Sequence, residues 1–311
     1  MSRISTPPKM TRRQPLESPP GLPPEWSLVR RRGIAVLRAK PFERISWLVH
    51  GFSTRLGGAS SAHGRRALNL GYLDWDERDR VDANRQLLAR AVGARAMELV
   101  AMRQFHSSVV RVVERAAGHR LGGDALATRA PRLLLAVQTA DCLPILLVDP
   151  RRHVAAAIHA GWRGTLARIA EKTVGELRMD FGTRPRDVLA AIGPAIGACC
   201  YEVGPEVAQA YAARFHVAGE WFDERFEALS TGDEPTPFLW LQQDPPGHAR
   251  PKRARLDLVA ANSWQLANAG LLPERVFACR WCTACHPDWL FSYRREGGRT
   301  GRQMAVIGWR R

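Results

Sequence analysis

Residues 133–164 read LLLAVQTADCLPILLVDPRRHVAAAIHAGWRG, and the three apolar runs in that stretch decide the fold. Leu133–Val137, Ile145–Val148 and Val154–Ile158 are too short for helices and are separated by polar and proline signals. They are predicted as strands buried on both faces. Working outward, Trp47–Phe52, Val109–Val113, Val188–Ile192, Val276–Cys279 and Met304–Ile307 carry the same signal. Helical spacing covers Val81–Val92, Thr165–Leu177, Pro205–Arg214 and Leu256–Ala269, with Gly93 and Gly270 placed as stops. Short strands separated by helices predict an α/β or α+β domain with one continuous core over residues 26–311. No internal repeat interrupts it. The stretch Ser230–Arg255, rich in Pro, Gly and charge, is predicted as a long surface loop.

The first 25 residues depart from this pattern. They are rich in proline and basic residues and have no apolar periodicity that could offset the entropy of ordering, which predicts a disordered tail. No continuous apolar segment follows the early basic residues, and no apolar run reaches transmembrane length, so a cytoplasmic protein with no membrane partner is expected. The net charge of +16, from 46 Lys+Arg against 30 Asp+Glu, is almost entirely arginine. The arginines are spread along the chain rather than gathered in a stripe with aromatics, so a small anion is a better partner than a specific nucleic acid. The six cysteines, at 142, 199, 200, 279, 282 and 285, do not form the regular framework of a small secreted domain, so free thiols or metal ligation are expected. A bond between the adjacent Cys199 and Cys200 would be strained.

Chemistry concentrates at strand ends. Cys142 lies between two apolar strands in Thr-Ala-Asp-Cys-Leu-Pro; His159 lies where a strand meets the glycine turn of His-Ala-Gly-Trp-Arg-Gly; His106 precedes the Val109–Val113 strand. Two imidazoles and a thiolate suit a borderline-soft divalent ion such as Zn2+ and leave a coordination position open, where bound water becomes a nucleophile near neutral pH. The intervals match no compact zinc signature. Spacing alone therefore favours the plainer reading, in which Cys142 is a small buried hydrophobe and the histidines are satisfied loop residues.

The neighbouring motifs reverse that balance. His-Gly-Phe-Ser-Thr-Arg at 50–55, Gln104 with His106, Gly-Asp-Ala at 123–125, Ala-Asp-Cys-Leu-Pro at 140–144, His-Ala-Gly-Trp-Arg-Gly at 159–164, Gly-Pro followed by Cys-Cys-Tyr-Glu-Val at 193–203, and Phe-Ser-Tyr-Arg-Arg-Glu-Gly at 291–297 stand in one order along the chain. Together they resemble the YfiH-like laccase-domain family, also described as multicopper polyphenol oxidases, purine nucleoside phosphorylases and peptidoglycan editing factors. The resemblance spans about residues 47 to 308. It implies a zinc ion on His106, Cys142 and His159 in a four-layer αββα sandwich of cysteine-hydrolase-like fold. It also implies phosphorolysis of adenosine, inosine and methylthioadenosine with phosphate, with adenosine deamination as a side activity.

Such chemistry needs cations for the phosphate dianion and preorganised charge at the reacting carbon. Arg55, Arg163, Arg294 and Arg295 lie in the matched motifs and could form the phosphate clamp. His50 could donate or shuttle a proton, and Asp124 or Asp141 could orient a ligand imidazole or contact ribose hydroxyls. Cys200, beside a Tyr-Glu pair, is either buried structure or a nucleophile. Each arginine has a plainer reading as a solvated surface charge.

Two alternatives carry different chemistry. One is an amidase that edits cell-wall precursors at a muramyl nucleotide, with Cys142 or a zinc-bound water attacking. The other is a Cu2+-dependent polyphenol oxidase, disfavoured because a laccase's coppers call on more His-x-His pairs than this chain supplies; it has nine histidines and none of those pairs. The nucleobase-deaminase signature H-x-E with P-C-x-x-C is also absent. Cys282-Thr-Ala-Cys285-His286 fits haem c attachment, yet no export signal accompanies it. A second zinc on Cys282, Cys285 and His286, with or without Cys279, lacks the distant pair that such a site requires, so these residues are expected to pack near the active site. Substrate choice and oligomeric state are not encoded in these motifs.

Overall fold

The predicted strands 133–137 and 145–148 are neighbours in sequence but belong to different sheets, and that crossing organises the molecule. The computed structural model describes residues 21–62, 64–115, 121–223 and 253–310. Its strands in chain order are β1 (Trp26–Arg31), β2 (Ile34–Ala39), β3 (Leu48–Ser53), β4 (Leu56–Ala62), β5 (Arg65–Ala67), β6 (Glu98–Ala101), β7 (Val110–Val112), β8 (Ala125–Thr128), β9 (Leu133–Thr139), β10 (Leu143–Asp149), β11 (Val154–Ala160), β12 (Leu189–Ile192), β13 (Glu202–Val203), β14 (Ala254–Arg255), β15 (Val276–Ala278) and β16 (Gln303–Trp309). One six-stranded sheet has the order β1-β2-β3-β16-β9-β6 and the other β15-β12-β10-β11-β8-β7. Both are mixed: β6 runs parallel to β9, β7 to β8 and β12 to β15, and the remaining pairs in each are antiparallel.

The period of two along each strand sorts side chains onto faces. Leu135 and Val137 of β9, with Ala305 and Ile307 of β16, join Leu146 and Val148 of β10 and Ala155 and Ala157 of β11 in one buried cluster, so the sheets pack face to face. The alternate residues Leu134, Ala136 and Val306 meet Leu88, Ala91 and Val92 of the helix Arg78–Val92 on the first sheet's other side. On the second sheet, Ile145, Leu147, Ala156 and Ile158 meet Ile169, Val174 and Leu177 of the helix Ile169–Phe181 and Leu258 and Leu266 of the helix Leu258–Asn268. Every residue of β10 and β11 is buried, which accounts for their largely apolar sequence.

The architecture is mixed α+β, as expected, with elements the sequence reading left out. Strands β1 and β2 form a hairpin closed by Arg32 and Gly33, at φ 54° and 78°, the left-handed pair that a two-residue turn needs. The expected helix Thr165–Leu177 is two helices, Trp162–Leu166 and Ile169–Phe181, because Arg168 is left-handed at φ 61°. Its guanidinium is held by Glu171 at 2.9 Å and stacks over Phe215. Residues 1–20 of the expected tail and most of the expected loop Ser230–Arg255 lie outside the described residues; Ala254–Arg255 is strand β14. No helix among the described residues is long and apolar enough to cross a membrane.

His50 is spent on this fold. It sits on β3 with no exposed surface, its Nε2 accepts the Ala39 N–H at 3.1 Å, and Phe42 packs edge-on against its ring. Burial, with the nearby charge of Arg38, pushes its pKa down to about 3, so it is neutral in the fold. The unfolded chain binds this proton near pH 6.5, so the contribution to stability is complete above that pH and falls by about 1.4 kcal/mol per pH unit below it, down to the folded pKa. Denaturant melts of wild type and His50→Gln between pH 7 and 5 should diverge by that slope, the variant being less acid-sensitive. Parallel pH profiles would show that His50 is not a buried neutral group.

Candidate metal centre and its pocket

The crossing between sheets is made by Ala140, Asp141 and Cys142, between the end of β9 and the start of β10. Asp141 takes φ 89° to turn the chain, and this places the Cys142 thiol at the seam where the sheets meet. His159 is the penultimate residue of β11, paired in register with Pro144 of β10, so the β10–β11 hairpin carries it to the same end as Cys142. His106 follows β6 with a left-handed φ of 61°. One donor atom from each of the three lies within 4.8 Å of the other two, with His106 Nε2 at 3.7 Å from Cys142 Sγ.

Asp124 orients the group. One of its oxygens accepts from the His159 side at Nδ1, 2.8 Å away, and from the His106 amide at 3.1 Å. The other accepts the Ser107 amide and hydroxyl, each at 2.6 Å. With Nδ1 committed to Asp124, Nε2 of His159 is left for a ligand, which fixes the tautomer a metal needs. Burial alone would raise the Asp124 carboxyl, but the hydrogen bonds from His159 and Ser107 outweigh it and bring it to about 2. Burial likewise opposes ionisation of Cys142 and His159. Their mutual attraction prevails, lowering the thiol to about 6 and raising the imidazole to about 9. Gly161 completes the cradle: a Cβ there would lie 2.9 Å from the His106 ring and 3.0 Å from Cys142 Sγ. Two imidazole nitrogens and one thiolate, supported from behind and kept clear of side chains in front, fit a thiophilic divalent ion with an open coordination position.

The three residues line a pocket of ≈720 Å³, within the range of about 300–1,000 Å³ usual for small-molecule sites. Arg103, Arg163, Arg294 and Arg302 stand on its walls with the aromatic rings of Trp162, Tyr201 and Tyr293. Arg163 lies 4.3 Å over Trp162, and Arg294 donates to the Glu202 carbonyl at 3.0 Å while lying 5.5 Å over Tyr201. Asp141 also faces the pocket, with one oxygen on the Thr283 hydroxyl and the other on the Arg294 amide at 2.6 Å. It ties the crossing turn to the C-terminal loops that carry the arginine.

Other candidates from the sequence stand elsewhere. His50 is in the core, as described. Arg55 is paired with Glu296 at 2.5 Å and donates to the Pro287 carbonyl, bracing a loop rather than facing the pocket. Arg295 donates to the Ala284 carbonyl at 3.0 Å and is also absent from the pocket wall. Cys200 lies 3.5 Å from the Cys285 sulfur rather than in the pocket. Arg302 and Tyr201 were missed as pocket residues. Tyr201 sits inside the Cys-Cys-Tyr-Glu-Val motif, whose cysteines drew attention away from it, whereas Arg302 follows the matched motifs with no local signal of its own.

The chain matches, over residues 49–310, the family described as Multi-copper polyphenol oxidoreductase laccase. A purine nucleoside phosphorylase of Deinococcus radiodurans is 38% identical over 89% of this chain and 93% of its own length. A protein of an unknown prokaryotic organism, named an adenosine deaminase, is 34% identical over 83% of this chain and 93% of its own length. Among solved structures, YlmD from Geobacillus stearothermophilus superposes with a TM-score of 0.74 at 31% identity, covering 93% of this chain and all of the other (100%). The Bacillus licheniformis hypothetical protein YfiH does so with a TM-score of 0.75 at 29% identity, covering 90% and 98%. With its crossing turn, its His-Cys-His cluster and a match that runs through both sheets, the chain belongs to the laccase-domain family of YfiH and YlmD.

Proposed function

We propose that the protein is a zinc-dependent purine nucleoside phosphorylase, acting on adenosine, inosine and methylthioadenosine, with adenosine deamination as a side activity. The observation that carries this reading is the convergence, in one pocket, of a three-donor metal centre, four arginines and several aromatic rings. Relatives named purine nucleoside phosphorylase and adenosine deaminase support it. The catalytic unit is taken as one domain over residues 26–311, its helices on the outer faces of two packed sheets supporting a four-layer αββα, cysteine-hydrolase-like reading. Six free thiols suit a reducing cytoplasm.

In phosphorolysis a phosphate oxygen bonds to C1′ of the ribose as the bond from C1′ to the purine nitrogen breaks. Ribose 1-phosphate and the free base leave, the base taking up one proton. Arg163, Arg294 and Arg302 supply the positive charge that holds the phosphate against the reacting carbon. Trp162, Tyr201 and Tyr293 offer apolar faces that stack a purine and keep water from competing. Asp124 holds His159 and the His106 backbone in place, and Asp141 holds the Arg294 backbone. A zinc ion on His106, Cys142 and His159 would supply Lewis acidity to the pocket. Copper oxidase chemistry is less well supported, since no further histidine-bearing ligand cluster accompanies this one among the described residues.

A second reading draws on one geometric feature. Cys142, His159 and Asp124 form a line of thiol, imidazole and carboxylate, the arrangement of a cysteine hydrolase, which would suit amide cleavage in a cell-wall precursor.

Zinc-loaded protein should convert inosine and adenosine to base and ribose 1-phosphate only with phosphate present, and Cys142→Ser or His159→Ala should abolish this. Inert nucleosides, with release of the amino acid from a muramyl nucleotide instead, would put the second reading in its place. Arg163→Ala and Arg294→Ala should each raise KM for phosphate by at least about tenfold, the size of a lost charge-assisted hydrogen bond. Arg55→Ala should leave that KM unchanged, and an equal effect from all three would count against the clamp. Asp124→Asn should weaken zinc binding by about 10–100-fold in a chelator competition, since the amide no longer holds the His159 tautomer.

A further inference from the structure

The pocket uses one of the six cysteines, and the fold brings four of the other five together. Strands β12 and β15 are parallel neighbours, with Ile192 opposite Ala278, so the loops that follow them leave the sheet in the same direction. The pairing continues past both strands through a parallel bridge between Ala195 and Cys282. One loop then delivers Cys199 and Cys200, and the other delivers Cys282 and Cys285 in the C-x-x-C spacing. All four sulfurs lie within 4.8 Å of one another, and Cys285 is 3.5 Å from both Cys199 and Cys200.

These separations are too long for disulfides, whose sulfurs are about 2.05 Å apart. They suit four thiolates around one ion, because zinc–sulfur bonds of about 2.3 Å in a tetrahedron hold sulfurs a little under about 4 Å apart. The surroundings also fit a charged sulfur cluster. The Gly197 N–H donates to Cys282 Sγ at 3.2 Å, as hydrogen-bond donors do for metal-bound thiolates. A side chain at Gly197 would crowd the cluster: a Cβ would lie 3.2 Å from Cys282 Cβ and 3.3 Å from Cys199 Sγ. Two nearby residues stand outside this group of donor atoms. His286 turns Nδ1 to the Cys282 carbonyl at 2.9 Å and stacks on Trp281, and Cys279 is buried between the sheets. The distant pair that the Cys282 to His286 motif lacked in the sequence is thus Cys199 and Cys200.

We infer that Cys199, Cys200, Cys282 and Cys285 form a second, tetrathiolate site for a zinc-class ion, separate from the His106, Cys142 and His159 centre. Its role is to clamp two loops that build the pocket wall. The residue after Cys200 is Tyr201 of the pocket, and Thr283 between the other two cysteines holds Asp141. Clamping requires no turnover at the site, so the inference stands independently of the proposed reaction.

The full chain, purified under reducing conditions, reconstituted with Zn(II) and passed through a mild chelator, should retain two zinc ions by elemental analysis. Cys282→Ser/Cys285→Ser should retain one. As a check that does not require altering the cluster, Cys142→Ser/His159→Ala should bind one Co(II) with intense thiolate-to-cobalt charge-transfer absorption of a tetrathiolate site. Equal zinc content in wild type and the Cys282/Cys285 variant, or no cobalt–thiolate band in the Cys142/His159 variant, overturns the inference. So does mass spectrometry showing the four sulfurs joined as disulfides in the reconstituted protein.

Discussion

The three-residue passage from β9 into β10 is the constraint on which the rest depends. A strand that continued or reversed in plane would keep β9 and β10 in one sheet. Instead Asp141 adopts a left-handed φ of 89°, and the chain steps from one sheet to the other within Ala140, Asp141 and Cys142. That backbone is held by its surroundings: the Asp141 carbonyl accepts the Ile196 amide at 2.8 Å, and its carboxylate takes the Thr283 hydroxyl and the Arg294 amide. Segments far apart in sequence therefore converge on one turn. The candidate metal centre and the arginine wall inherit their relative positions from it.

Asp124 solves the electrostatic problem this creates. Burying the His159 imidazole beside a half-buried thiol places polar groups where water compensates them poorly. A single carboxylate, itself fully buried, gathers three successive backbone amides, one hydroxyl and the His159 ring, so its own charge is satisfied as it orients the candidate ligands. The left-handed turn at His106 is what lets those amides point at one carboxylate. The left-handed backbone of His106 and the charge of Asp124 are thus coupled through one hydrogen bond.

Much of this was legible in the sequence because hydrophobic burial leaves a one-dimensional trace. The run through β9, β10 and β11 reads as strand since every residue of β10 and β11 is buried, and Pro205–Arg214 reads as helix with its boundaries intact. What failed to show was set by turns and by chain-distant contacts. The hairpin of β1 and β2 uses Arg32 at a left-handed position where Asn or Gly would have signalled the turn. Short strands such as Ala125–Thr128 carry little hydrophobic pattern. His50 illustrates the same limit in the site: a histidine within a family motif looks chemical until its burial against Phe42 is visible.

The cysteines show why spacing can mislead in either direction. His106, Cys142 and His159 are separated by intervals with no zinc signature, yet the strand ends unite them. Cys282 and Cys285 have a zinc-like interval but no complete ligand set within their own loop. Metal geometry is satisfied in space, and in this fold space is dictated by which strands are neighbours. The parallel pairing of β12 with β15 brings Cys199 and Cys200 to Cys282 and Cys285, while the antiparallel pairing of β10 with β11 brings Cys142 to His159. Both clusters lie where loops leave the second sheet, and Asp141 with Thr283 links one to the other. Hydrogen bonds of Asp141 to Thr283 and to the Arg294 amide therefore join both clusters to the same pocket wall.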